Sequence, residues 1–563
     1  MYKSSIIVLT IIYSALIFTS CDQEVKKEQA AVSTINEADL SRHIKNLASD
    51  EFQGRKPFTI GEEKTIEYIR NEFMNMGLKP ANNGSYYQEV PMVEITGAPT
   101  QKMSIRGKGK KIDLNINTDF VAVSRHIKDK VSLRDSELVF AGYGIVAPEY
   151  GWNDYEGLDV KGKTVILLIN DPGFTSGDST FFKGKEMTYY GRWSYKYEEA
   201  ARQGANGVLI VHDTEPASYP WQVVENGWTG SKLYLQDKNQ NLHRTAIEGW
   251  ISKESAGKIF AAAGYEYDFT QEATKRGFQS FSLGLSISLS IKNTFKNSKS
   301  YNVVSLYPGT DLASEHIVYT AHWDHLGIGA AVNGDTIYNG AIDNASGVAA
   351  LLEIAEAFTK TKTRPLRSIV FLAVTAEEQG LLGSAYYAEN PIFPLETTVA
   401  NINMDALNAL GKMKDLTIIG HGHSELDDYA FEIAKSQGRY IHPDPNPGTG
   451  SFFRSDHFNF AKAGVPALYA KGGYEHAEHG IAFAENMSKD FTSKHYHQPS
   501  DQYDPDNWDL SGMVEDVQLF FLVGKRIGEE SYFPQWKEGS EFKSIREKGK
   551  IIAEPEPDTV TVY

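Results

Sequence analysis

Three apolar runs dominate the second half of the chain, and each stops at an acid or a histidine. They are SEHIVYTAHWDHLG, LRSIVFLAVTAEE and TTVANINMDAL. The segments SGVAALLEIAEAFTK and LDDYAFEIAKSQ lie among them and carry helical periodicity. Strands that alternate with helices predict an α/β fold, with a central β-sheet covered on both faces. Sheets of this kind bind ligands just beyond the carboxyl ends of their strands. The residues just past each run are therefore informative.

The residues at those ends form a set. After the first run come His322, Asp324 and His325, and TIYNGAIDNASG then supplies Asp343. The second run ends in Glu377 and Glu378, and the third in Asp405. SKHYHQPSDQ adds His495 and His497. Taken singly, each is a solvated polar residue or a helix cap. If they converge, they make a dense cluster of negative charge, which a pair of divalent cations stabilises most simply. Carboxylates with histidines suit zinc, and other hard or borderline ions remain open. Glu377 and Glu378 point opposite ways if the segment is extended, so the two acids need not be redundant. Asp324 lies two residues after His322 on the same face. It is expected to accept from the second imidazole nitrogen and raise its basicity.

The chain is 563 residues long, more than one ordinary domain. Residues 37–78 predict two helices, the first with Leu40, Ile44 and Leu47 on one stripe and the second with Ile66, Ile69 and Phe73 in phase. From 121 to 284 short strand candidates alternate with Gly-, Pro- and Trp-rich loops, which predicts a separate small α+β domain. His212 and Asp213 there are too few to make a site. LSISLSI at 285–291 reads as a half-buried strand. The expected divisions are a signal peptide at 1–20, a flexible tether at 21–36, an N-terminal part of the main domain at 37–120, the insert at 121–284, the main part at 285–540 and a peripheral tail at 541–563.

The ordered motifs AHWDHLG, NGAIDNASG, TAEEQGLLGS, NINMDALN, FRSDHFNFAKAGVPAL and YHQPSD over residues 321–501 resemble the zinc aminopeptidase family known as peptidase family M28. The resemblance implies a mixed central sheet of the zinc-peptidase, phosphorylase/hydrolase-like type. It also implies that 121–284 is an inserted protease-associated (PA) domain. By resemblance, His322 and Asp405 hold one zinc, Glu378 and His497 hold the other, and Asp343 bridges the two. Glu377 is implied as general base. His325 and His495 flank ligand positions and are expected at the surface or just behind the ligands. The loops GHGHSE at 420–425 and GYEHAEHG at 472–479 lack the usual single-zinc pattern. Arg454 could meet a substrate carboxylate, although a solvated surface charge is the plainer reading.

The function expected from the resemblance is an aminopeptidase with two zinc ions per chain, acting on peptides and needing no obligate protein partner. The rivals are a carboxypeptidase or dipeptidase of the same fold, and a non-catalytic binding or receptor-like protein. Net charge of −17 argues against a general affinity for nucleic acid or anionic lipid. At the N-terminus, Lys3 precedes an apolar run from Ile6 to Phe18, small residues and then Cys21, the only cysteine. That pattern predicts a signal peptide, with Cys21 as a lipidated first mature residue. The chain is expected to be an exported bacterial lipoprotein of the cell envelope. A lone cysteine permits no intrachain disulfide.

Overall fold

The computed structural model describes residues 30–265 and 269–553. The expected signal peptide and Cys21 lie outside the described residues. The chain divides into two compact units. One comprises Met1–Val90, Ser300–Asp444 and Ser455–Tyr563, and the other Pro91–Lys299 and Pro445–Arg454.

The first unit is built on a mixed sheet. Its strands are the end of β1 (Phe281–Tyr307), then β2 (Leu312–His322), β3 (Arg367–Val374), β4 (Thr398–Asn403), β5 (Asp415–Ile418), β6 (Tyr440–Pro443) and β7 (Ala467–Gly472). Hydrogen bonding orders them β1-β3-β2-β4-β7-β5-β6. The four central strands, β3, β2, β4 and β7, run parallel. Register places His322 opposite Val374, Thr320 opposite Asn403 and Asn403 opposite Tyr469. The carboxyl ends of all four therefore share one edge. All eight residues of β3 are buried, as a strand covered on both faces requires. Alternation divides them cleanly. Ile369, Phe371 and Ala373 join one core with Ile317, Tyr319 and Ala321. Val370, Leu372 and Val374 join another with Val318.

Helices α1 (Glu37–Leu47), α2 (Ile60–Asn75), α3 (Ser346–Thr359), α4 (Leu426–Ser436), α5 (His457–Lys462) and α6 (Ser511–Glu529) are among those that cover the sheet. Asn36 caps α1 by accepting from the backbone of Ala38 and Asp39. Its expected stripe of Leu40, Ile44 and Leu47 is buried. Ile69 and Phe73 of α2 are likewise buried, while Ile66 packs at the edge of the core. α3 is apolar almost all round because α1, α6 and the sheet enclose it. α6 lies close on β2. The Tyr319 hydroxyl donates to the Phe520 carbonyl, and a Cβ at Gly524 would stand 1.7 Å from that hydroxyl. Gly524→Ala should lower stability by about 1–3 kcal/mol through overpacking. Urea unfolding would measure it, and an unchanged midpoint would refute the close packing.

The second unit has its own core around Val121, Val165, Tyr197, Ile210 and Trp250. Strands fall there at Lys130–Phe140, Thr164–Leu168 and Gly207–His212, and a helix at Trp193–Arg202. The unit is wider than 121–284. Met92–Thr96 pairs with Ser231–Leu235, and Ser286–Ser288 pairs with Ser104–Arg106, so both flanks are held by ladders. Two further boundaries move. Ala31 and Ile35 are buried in the first unit's core, so the stretch expected to be a loose tether through 36 is packed from Ala31 onward. Phe542 is buried and Arg546 donates to the carbonyls of Leu395 and Thr398, so the expected tail at 541–563 begins as packed structure. Among the described residues no helix is long and apolar enough to cross a membrane.

Candidate metal centre

The shared strand edge carries the acids and histidines. His322 ends β2. The turn after β3 presents Glu377 and Glu378, with Ala376 in the left-handed region at φ 53. Asp405 follows β4, and Asp343 precedes α3. His322 Nε2 lies 3.2 Å from Asp343 Oδ1, 3.5 Å from Asp405 Oδ1 and 4.0 Å from Glu377 Oε2. His497 Nε2 lies 3.2 Å from Asp343 Oδ2 and 3.0 Å from Glu378 Oε2. Asp343 thus turns one oxygen toward each imidazole. The six positions singled out in the sequence, His322, Asp343, Glu377, Glu378, Asp405 and His497, all converge.

The supports are stitched from neighbouring loops. Asp501 accepts from the backbone of Ile342 and Asp343, joining the His497 segment to the Asp343 turn. Asn344 accepts from Gly347 and Ala406 and donates to the Met404 carbonyl, which fixes the Asp405 turn. Ser455 donates to Asp405 Oδ2 at 2.6 Å and accepts from Asn403. Asn302 accepts from Thr375 N and donates to the Gly383 carbonyl, clamping both ends of the glutamate turn.

Asp324 departs from expectation. Its carboxylate stands 3.9 Å from His322 Nδ1, and that nitrogen instead meets the Asp324 backbone carbonyl at 3.1 Å. A carbonyl only accepts, so Nδ1 carries the proton and Nε2 is left for the centre. The carboxylate accepts from the backbone N–H of Glu377 at 3.0 Å and of Glu378 at 3.4 Å. The turn, bringing two amides down onto the strand end, outcompetes the imidazole for it. His325 lies just behind a predicted ligand. It is fully buried, and its Nδ1 comes within 2.6 Å of Glu378 Oε1. His495 is half-buried and bonds to Ser500. Arg454 is exposed, belongs to the second unit and donates to the Thr449 carbonyl. His476 of the GYEHAEHG loop is a turn cap, bonded to the Leu410 carbonyl and to the amides of Glu478 and His479. His212 meets the Tyr219 carbonyl, and Asp213 pairs with Lys253.

The donor set fits divalent cations. His322, Glu377 and Asp405 offer ligand atoms all within 4.8 Å of one another, and so do His325, Asp343 and Glu378. His497 Nε2, His325 Nδ1 and Glu378 Oε1 crowd against opposite charges at 2.6–3.2 Å without hydrogen-bond geometry, and His325 Nε2 is buried with no hydrogen-bond partner. Such orphans are costly unless something charged satisfies them. The electrostatics agree. Burial opposes charge on His322, but Glu377, Asp343 and Asp405 outweigh it and hold its pKa well above the usual value. Burial likewise opposes charge on His497, whose pKa Asp343 and Glu378 push up to about 10. Burial would raise Asp343, yet the two imidazoles hold it well below the carboxylate range. Burial lifts Asp324 to about 7.

A ligating imidazole must be neutral. Since the neighbouring acids raise the proton affinity of both histidines, zinc uptake should release protons, and affinity should fall as pH is lowered. Calorimetry in buffers of different ionisation heat would count them. Uptake with no proton release would contradict the pairing of these imidazoles with Asp343.

Residues 302–522 match the family model described as Peptidase family M28. The matched segment contains every residue of the centre. "Aminopeptidase NAALADL1" of Mus musculus is 34% identical over 179 residues, covering 31% of this chain and 22% of that protein. "Aminopeptidase YwaD" of Bacillus subtilis is 30% identical over 179 residues, covering 30% and 35%. "Probable glutamate carboxypeptidase AMP1" of Arabidopsis thaliana is 30% identical over 406 residues, covering 66% and 52%. The chain spans about half the length of the plant protein and less of the other two. Among solved structures, an aminopeptidase from Aneurinibacillus sp. strain AM-1 aligns over 90% of this chain and 97% of its own, at 17% identity and a TM-score of 0.45.

Reasoning from sequence left the depth of His325 open and missed the part played by Asp501. The PSD that comes after His497 was a usable signal, because a carboxylate close after a ligand is placed to take up backbone amides.

Proposed function

We propose that the chain is a metal-dependent aminopeptidase that hydrolyses N-terminal peptide bonds. Two zinc ions are held by His322, Asp343, Glu378, Asp405 and His497, and Glu377 is the general base. The observation that carries this reading is the Asp343 carboxylate, with one oxygen 3.2 Å from each of two imidazoles and another carboxylate beside each. When bound, the ions supply Lewis acidity, polarising the scissile carbonyl and making water a stronger acid. Glu377 accepts a proton from water as its oxygen attacks the carbonyl carbon. It returns that proton to the nitrogen as the C–N bond breaks. Burial raises its proton affinity well above the usual range, with His322 opposing and Glu378 and Asp405 reinforcing the rise, which suits the delivery step. Asp324 holds the turn so that the two glutamates serve separate tasks.

The aminopeptidase direction draws on the names borne by two of the relatives. The carboxypeptidase or dipeptidase reading draws on the plant relative's name and on Arg454. Burial, and then the neighbouring Arg454, lowers the proton affinity of Arg192, whose Nε is buried without a partner, and a guanidinium suits a carboxylate. The full ligand set argues against a binding protein without catalysis. Zinc-loaded protein should be given peptides with free or acetylated amino ends and free or amidated carboxyl ends, with products mapped by mass spectrometry. Cleavage that requires a free amine supports the proposal, and cleavage that requires a free carboxylate supports the rival.

We further infer that the second unit is the inserted PA-type domain, and that the protein is exported and lipid-anchored through Cys21. The support for the anchor is the basic start, apolar run and small residues before that cysteine. Cys21→Ser should leave the precursor unprocessed or free the protein from membranes. A processed, membrane-bound Cys21→Ser protein would exclude the anchor.

A further inference from the structure

Arg55 is a fully buried arginine with no carboxylate in contact among the described residues. Its guanidinium is spent on four backbone carbonyls. Nε donates to Trp323 at 2.9 Å, Nη1 to Leu47 at 2.8 Å and Asn339 at 2.6 Å, and Nη2 to Gly340 at 2.7 Å. Trp323 stands between His322 and Asp324, and Gly340 lies three residues before Asp343. One planar fork therefore grips the turns that carry both sides of the His322–Asp343 contact.

The loop that presents Arg55 is under strain. Gln53, Gly54 and Arg55 are consecutive residues in the left-handed region, at φ 49, 65 and 54. Two of them are not glycine, and such conformations persist only where the surroundings over-determine them. Gly54 is pressed so closely that a Cβ there would stand 2.3 Å from the Tyr338 carbonyl. Asn339 returns the grip, donating to the Ala48 carbonyl and to Asp50. Burying a guanidinium without a counter-ion is unfavourable in itself. Burial still lowers its proton affinity, and the acids behind it, Asp501, Asp343, Asp324 and Glu378, offset part of that cost.

We propose that Arg55 is a positioning residue of the metal centre, a buried fork that sets the distance between the His322 turn and the Asp343 turn while touching neither ion nor substrate. The proposal rests on the two-ion reading of the centre. Lysine has a point charge and at most three donors, so it keeps the charge and loses the fork. Methionine loses both.

The test is zinc affinity by chelator competition, together with thermal melting, for the whole chain carrying Arg55→Lys, Arg55→Met or the core change Leu519→Ala. Losing a partner behind the ligands typically costs roughly 10–100-fold in metal affinity. Arg55→Lys should fall within that range, and Arg55→Met should be weaker still. Leu519→Ala should melt earlier yet bind zinc as the parent does. Parental zinc affinity in Arg55→Lys or in folded Arg55→Met would overturn the proposal and leave the two-ion reading intact. An affinity loss in Leu519→Ala matching that of Arg55→Lys would also overturn it, because general loosening would then suffice. A parent chain that takes up no divalent ion would overturn both the two-ion reading and this one.

Discussion

Glu377→Gln should lose turnover by at least ~10²–10⁴-fold, the usual worth of a positioned acid–base group, while keeping its fold and its metal. The amide fills nearly the same space but cannot take a proton. The loss should reach or exceed that range because one carboxyl serves both water and the leaving amine. Glu378→Gln should behave differently. Its Oε2 faces His497 and its Oε1 faces His325, so that change removes charge from the ligand cluster. It should reduce metal occupancy as well as rate, and added zinc should restore part of the activity. Excess zinc should do nothing for Glu377→Gln. Metal content measured beside single-turnover hydrolysis separates the two. A fully metallated Glu377→Gln protein with near-parental chemistry would reject the base. Metal loss confined to Glu377→Gln would mean the adjacent acids have been assigned in reverse.

The second large effect concerns Asp343. Asp343→Asn removes the charge that both imidazoles face, and an amide nitrogen cannot replace a ligand oxygen on one side. Both ions should bind more weakly, by more than the roughly 10–100-fold that accompanies loss of a partner behind the ligands. The parent should approach two ions per chain, and the variant should fall well short of that at the same free zinc. Because Asp343 sits 3.2 Å from His322 and from His497, the loss should be shared. Two tightly held ions in Asp343→Asn would exclude a bridging role.

Much of this centre was legible before any coordinates. A parallel strand buried on both faces reads as one apolar run, and its end is where polarity returns. IVFLAV followed by Glu377 and Glu378 therefore located both the strand and its functional edge. Convergence of the edges was not legible from periodicity, because strand order β1-β3-β2-β4-β7-β5-β6 is not sequence order. The ordered motifs made up that gap. Asp324 and His325 show what a linear reading leaves out. The sequence spacing put the Asp324 carboxylate near His322, yet a turn closing from fifty residues away supplied better donors. His325 was left between the surface and a place behind the ligands, because nothing local says that Gly340 will pack against its ring, 2.5 Å from where a Cβ would stand. Domain edges blurred for a similar reason. Ladder partners such as Met92–Thr96 and Ser231–Leu235 are remote in sequence, so composition alone drew the insert too narrowly.

The Asp324 clamp has a bearing on redesign. Two successive amides ending on one carboxylate make a single bracket, from which Glu377 and Glu378 project like two arms of fixed root. Neither root can be shifted without shifting the other. An engineer who wishes to move the proton carrier relative to the ions therefore has one independent handle, the number of methylenes in each arm. Libraries that vary the flanking loop would move both arms together and leave their separation unchanged.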